Sequence, residues 1–257
     1  MITLLLLLAC AHVETPAPPG ASPAAARAVP PDVYAAIVAA ADRTDADRAL
    51  DEGRRPADLL AAIGVRPGER VADLMAGGGY TTELLARAVG PAGRVYGQNS
   101  TFVLERFAAA PWAERLARPV NAVVTRLDRE LDDPLGDVRD LDAVVMVLFY
   151  HDSVWQKVDR TAMNAAIFRS LKPGGRYVVV DHSATAGSGL ADVETLHRID
   201  ESVVRAEVEA AGFRLSASHA FLRNPADARD WSASPRTAAE RRGTSDRFVL
   251  VFERPVP

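Results

Sequence analysis

The chain has 257 residues, 48% of them hydrophobic and 25% charged, enough for one sizeable α/β domain with an ample core and a tail. A formal net charge of −4 provides no basic footprint for nucleic acid. The single cysteine, Cys10, excludes an intrachain disulfide and a cysteine metal cluster.

Met1 to Ala9 is a leucine-rich run followed by Cys10. It resembles a bacterial lipoprotein signal, in which the cysteine becomes the lipidated first residue, so membrane tethering through Cys10 and an envelope location are expected, with a cytoplasmic location as the alternative if the leader is not used. The run lacks a positive n-region and is too short to span a bilayer as a helix. Residues 11–30 read as a Pro/Ala-rich extended tether, and residues 31–257 as the folded domain. Within it, 31–68 form an N-terminal helical extension and 69–257 an α/β core. Pro31–Ala41 suits a helix, the charged run Asp42–Arg55 a solvated helix surface, and Pro56–Ile63 a helix closed by Gly64. Val71–Leu74 is a short strand with an acid, Asp73, near its end. Ala76-Gly77-Gly78-Gly79 follows, and a helix opens at Thr81 or Thr82, either of which could cap it. Glycines let a ligand approach the backbone, and the strand-end carboxylate can receive an ammonium or hydroxyl. The spacing fails the dinucleotide pattern G-x-G-x-x-G, and no Gly-Lys-Ser/Thr phosphate cradle is present. A nicotinamide-dependent oxidoreductase is therefore a weak third reading.

Arg94–Asn99 is a second strand, ending in Gln98-Asn99; Leu104–Ala117 suits a helix and Asn121–Arg126 a third strand. Leu141–Leu148 is an apolar run of the kind a parallel strand buried on both faces shows. It leads to Tyr150-His151-Asp152, and Ser153 with Gln156 fits a capping box for the next helix. Leu171-Lys172-Pro173-Gly174-Gly175 precedes a strand over Tyr177–Val180, then Asp181-His182-Ser183. Asp200–Ala211 is a helix closed by Gly212, and Phe213–Ala220 with Arg247–Phe252 form a final antiparallel pair.

The acid-x-x-x-Gly-Gly-Gly turn and the L-K-P-G-G string resemble motifs of class I S-adenosylmethionine-dependent methyltransferases, in order over roughly residues 56–254. Met75 stands where the first motif usually has its first glycine. The chain is similar to an uncharacterised group of bacterial predicted methyltransferases, sharing the AGGGY turn, Tyr-His-Asp, Asp-His-Ser and the Thr-Leu-His-Arg-Ile-Asp segment. The resemblance implies a doubly wound, seven-stranded, mostly parallel sheet of Rossmann-like type. It also implies S-adenosyl-L-methionine held by Asp73, Ala76, Gly77, Gly78, Gly79, Gln98, Asn99 and Tyr150. Gln98 and Asn99 replace the acid that usually binds the ribose hydroxyls. Two imidazoles and two carboxylates, from Tyr150-His151-Asp152 and Asp181-His182, then converge at the ends of neighbouring strands. His151, oriented by Asp152, is the first choice of general base and His182 the second. A divalent ion held by Asp152, Asp181, His151 and His182 ranks below the metal-free reading. His197, Arg198 and Asp200 fall in a substrate-side insertion or tie down a helical hairpin, and the resemblance offers a second place for the Asp42–Arg55 run, folded over the cofactor instead of on plain surface. The expected reaction is methyl transfer to an oxygen or nitrogen of a small or exported acceptor. The alternative is a catalytically silent, envelope-tethered binding module on the same scaffold.

Overall fold

In β4 (Leu141–Val147) nearly every side chain is apolar, and the strand is buried on both faces as the fourth of five parallel strands and the middle one of the seven-stranded sheet. The computed structural model describes residues 29–257. The leader, Cys10 and nearly all of the tether lie outside them, and no described helix is long and apolar enough to cross a membrane. β1 (Arg70–Leu74), β2 (Arg94–Asn99), β3 (Val124–Asp128), β4, β5 (Leu171–His182), β6 (Arg214–His219) and β7 (Arg247–Glu253) form one sheet in the order β3-β2-β1-β4-β5-β7-β6. β1 to β5 run parallel and β7 is antiparallel to both β5 and β6, as expected. The strand order reverses between β1 and β4, and the crevice there, beyond the C-terminal strand ends, is where open α/β sheets bind ligands.

The two-residue period of the strands divides the core into two layers. Leu74, Val144, Met146, Tyr177, Val179 and Leu250 pack with Ile167, Val204 and Val208 of α8 (Arg160–Ser170) and α10 (Glu201–Ala210). Val71, Val95, Val145, Val178 and Val249 pack on the opposite face. Their partners are Leu59, Leu60 and Ile63 of α3 (Pro56–Ile63) and Leu84, Leu85 and Val89 of α4 (Tyr80–Val89). α1 (Pro31–Val38) joins this second layer, where the Tyr34 hydroxyl donates to the Val65 carbonyl at 2.9 Å.

Several local expectations are corrected. The Asp42–Arg55 run is solvated on one side only. α2 (Asp45–Arg54) turns Asp47 inward to accept both guanidinium arms of Arg115, at 2.6 and 2.8 Å, and Arg43 is buried in a bidentate pair with Asp51. α4 is capped by neither threonine: Gly79 is its N-cap, in the left-handed region at φ 81°. Thr82 is unavailable because its hydroxyl donates to Asp73 Oδ2 at 2.6 Å. The helix expected over Leu104–Ala117 is composite, with α5 (Thr101–Val103), a π-turn at Leu104–Ala108 and α6 (Ala109–Leu116). Ser153 opens no helix. α7 (Tyr150–Trp155) has already begun, and the Ser153 hydroxyl donates back to the Tyr150 carbonyl. The following helix is α8, capped by Asp159 through the Ala162 amide at 2.9 Å.

Candidate functional site

The turn after β1 is built from three left-handed residues. Gly77 and Gly79 have φ 56° and 81°, and Met75, at the position where the motif usually has glycine, adopts φ 52°. A β-carbon in this region is strained, and the chain holds Met75 there from β2. Its amide donates to the Gln98 side-chain oxygen at 3.0 Å, and the Ala76 amide to the Gln98 carbonyl at 2.9 Å. The glycines serve different ends. A Cβ on Gly79 would lie 2.5 Å from the buried Trp112 ring, and one on Gly97 equally close, so these two make room for an indole. A Cβ on Gly77 would meet nothing, which leaves Gly77 as the open side of the turn, and Gly78 rests against Pro111. Leu148, at the end of β4 across the crevice, is also left-handed at φ 59°.

Asp73 is 2% exposed and forms no ion pair among the described residues. Burial pushes its carboxyl up to about 7, against the opposing pull of the Thr82 hydrogen bond and of the Arg54 charge. Arg54, at the end of α2, lies over the Tyr80 ring with Cζ 4.6 Å from the centroid. It too makes no hydrogen bond among the described residues, and burial and the nearby Arg242 weaken its hold on its proton. Asp73 and Arg54 sense each other's charge yet stand beyond ion-pair distance. The sequence placed the Asp42–Arg55 run on the surface or over the cofactor, but nothing in it singled out Arg54 among the run's arginines.

Gln98 and Asn99 are fully buried, and their amides are occupied by backbone. Gln98 Nε2 donates to the Arg129 carbonyl; Asn99 accepts from the Gly77 amide at 2.8 Å and donates to the Gly77 carbonyl at 3.2 Å. They build the turn instead of presenting free groups to a diol. Tyr150 is a correction as well. Its side chain is fully buried in the α8–α10 layer, where the hydroxyl donates to Glu207 Oε2 at 2.8 Å and accepts from Asn164, so it does not face the crevice.

Beyond β4 and β5 the expected residues do converge. His151 Nδ1 lies 2.7 Å from Asp181 Oδ1, and Asp181 is itself fixed by the backbone amides of His151 and His182 at 2.7 and 2.8 Å. Asp181, not Asp152, thus orients the ring; Asp152 Oδ1 is 3.2 Å from Nε2 on the other side. Burial would pull the His151 imidazole down, but Asp181 and Asp152 outweigh it and hold it up at about 10. His182 stands with its ring centroid 5.6 Å from that of His151, and its Nδ1 is 2.7 Å from Ser245 Oγ. Burial and the cationic neighbours His151, Arg247 and Arg198 push it well below the usual imidazole range. His197, left-handed at φ 50°, brings Nδ1 to 3.3 Å from both His151 Nε2 and Asp152 Oδ1. Arg198 and Asp200 do not enter this group. Arg198 pairs with Asp227 at 2.8 Å, and Asp200 accepts from the Gly187, Gly189 and Ser202 amides.

No protein-family model matches the chain. A methyltransferase from Aquifex aeolicus described as S-adenosylmethionine-dependent is 17% identical over 82% of this chain and 100% of its own, with a TM-score of 0.56. The [4+2]-cyclase SpnF is 18% identical over 82% of each chain, with a TM-score of 0.57. A Galdieria sulphuraria protein assigned as a sarcosine dimethylglycine methyltransferase is 15% identical over 88% of this chain and 98% of its own, also with a TM-score of 0.57. Likeness at this level of identity concerns architecture: the chain has the seven-stranded Rossmann-like fold of class I methyltransferases.

Proposed function

We propose that this protein binds S-adenosyl-L-methionine in the crevice between β1 and β4 and transfers its methyl group to an oxygen or nitrogen of a small or exported acceptor. The observation that carries the reading is the pair Asp73 and Arg54 at the glycine turn, a buried carboxyl held by the Thr82 hydroxyl but by no cation, and a guanidinium with no hydrogen-bond partner among the described residues. Buried unpaired charge is costly, and a zwitterionic amino-acid group satisfies both at once, ammonium to Asp73 and carboxylate to Arg54. The open face of Gly77 admits such a group to the backbone. The cofactor's contribution is an electrophilic methyl group. The protein's part is to align the acceptor and take its proton. His151, already held as an imidazolium by two carboxylates, is poorly placed to accept one. His182 is neutral, with Nδ1 engaged by Ser245 and its other ring nitrogen left for an acceptor. The leader ending in Cys10 assigns this chemistry to the envelope.

Calorimetry with S-adenosylhomocysteine on the full chain tests the reading. Binding is expected in the micromolar range, weakened about tenfold or more by either Asp73→Ala or Arg54→Met, in line with loss of a charged hydrogen bond. Absence of heat, or equal affinity in all three proteins, overturns it. The occupied amides of Gln98 and Asn99 favour a second reading, the catalytically silent binding module. Its signature is homocysteine-analogue binding without methyl incorporation into any envelope extract.

A further inference from the structure

His151 Nε2, Asp152 Oδ1 and His197 Nδ1 form a nearly equilateral triangle with sides of 3.2, 3.3 and 3.3 Å. Two histidine nitrogens and a carboxylate oxygen bound tetrahedrally to one ion at about 2.0–2.1 Å stand about 3.3–3.4 Å apart, whereas octahedral ligands at about 2.1 Å stand about 3.0 Å apart. The surroundings match those of a ligand set. Asp181, locked by two backbone amides, takes the Nδ1 side of His151 and so turns Nε2 into the triangle, where an ion would displace its proton. The Trp155 indole donates to that same oxygen at 2.7 Å and fixes it. Such carboxylate–histidine and donor–carboxylate partners are what orient metal ligands. His197 reaches the triangle only through a left-handed backbone, a conformation that a non-glycine residue holds at a cost. Asp152 and His197 keep 20% and 27% of their side-chain surface exposed, so an ion has a way in.

We propose that His151, Asp152 and His197 bind a single divalent transition ion, zinc by its geometry, with a fourth position left for water or an acceptor oxygen. An ion there makes a bound hydroxyl a better nucleophile. The ligand set differs from the one expected from the sequence: His197 enters, Asp181 withdraws to the outer shell, and His182 turns to Ser245. The site stands whether or not the cofactor reading holds.

Cobalt is the probe. The full-length protein is stripped with chelator and titrated with Co²⁺. One equivalent is expected to bind with the intense visible bands of a four-coordinate ion, and one equivalent of Zn²⁺ to bleach them. His197→Ala and Asp152→Asn, checked for native circular dichroism, should each weaken binding by more than the roughly 10–100-fold that loss of an outer-shell partner costs. Cys10→Ser should leave it unchanged. No bands, weak six-coordinate bands, or bands that persist in both variants overturn the proposal. S-adenosylhomocysteine calorimetry on the stripped protein separates this result from failure of the cofactor reading.

Discussion

A carboxyl buried without a counter-ion records its environment in its proton affinity. Asp73 is held near 7 in the folded, ligand-free chain against an ordinary value of 3.8, with burial the largest cause. The folded state therefore binds this proton more tightly than the unfolded chain does. The stabilisation is complete below the unfolded value and is lost as the pH rises through about 7. The ligand-free protein is expected to be more stable at pH 5 than at pH 8 by an amount on the order of 2–4 kcal/mol from this group. Asp73→Asn, which keeps the size and the Thr82 contact, should flatten that slope and raise the melting temperature at pH 8. Urea denaturation at the two pH values measures it, and an unchanged slope in the variant rules the assignment out. Met75 shows the limits of reading a motif by residue type. The turn needs a left-handed residue at this position, and the chain obtains it without glycine because Gln98 pins the amide from the neighbouring strand. The same pinning consumes the amide that sequence reasoning had set aside for the ribose.

At the scale of elements, the strands and the glycine-bounded helices were legible because their signals are local. The unbroken apolar run of β4, the Pro56–Gly64 boundaries of α3 and the order of the last two strands are all carried by adjacent residues. What was not legible depends on partners far along the chain. Asp42–Arg55 reads as solvated because it is charged throughout and the arginines that turn Asp42 and Asp47 inward lie far along the chain. In the fold, Glu83 of α4, 1% exposed, accepts from Arg87 at 2.7 Å, from Arg115 of α6 at 2.8 Å and from Arg118. Arg115 and Arg87 in turn hold Asp47 and Asp42. Thr82 and Ser153 fail as caps for a local reason: each hydroxyl is taken by a residue shortly before it, Asp73 and Tyr150. Removing one member of a buried charge network leaves the others uncompensated. Glu83→Ala is thus expected to cost about 3–5 kcal/mol, which for a domain of this size lowers the melting temperature by about 6–20 °C. Arg55→Ala, which removes only the exposed pair with Asp58, should cost well under 1 kcal/mol. Thermal denaturation of the two variants compares them directly, and similar losses would contradict the inward network.

For the whole molecule, the distinguishing feature is the connection between β6 and β7. Residues 220–246 do not form a tight hairpin but make a roof at the end of β5, meeting His182 through Ser245 and Ser183 through Arg223 and the Asp246 carbonyl. Its internal order rests on two carboxylates. Asp227 accepts from the Asp246 and Arg229 amides, the Trp231 indole and both arms of Arg198; Asp246 accepts from the Asn224 amide, Arg223 and Arg229. Arg198 and Asp227 are 0% and 1% exposed, and the Arg198 guanidinium also lies 4.8 Å from the Trp231 ring centroid. One arginine after His197 thus ties the roof to the body of the protein, while Ser245 at the other end of the roof positions His182. None of this was visible in a run of polar, alanine and proline residues, since such composition marks a loop without saying what it covers. Arg198→Met keeps the bulk but strands Asp227 as a buried unpaired charge, expected to cost about 3–5 kcal/mol. Because the internal order of the roof rests on Asp227 and Asp246, the loss should be local. Hydrogen exchange in the variant should speed up across 220–246 and at Ser183, whose carbonyl and hydroxyl meet Arg198 and Arg223. The amides of β1, β4 and α4 should keep wild-type protection. A uniform rise across the chain would mean that the roof is no separate unit and that Arg198 supports the core instead.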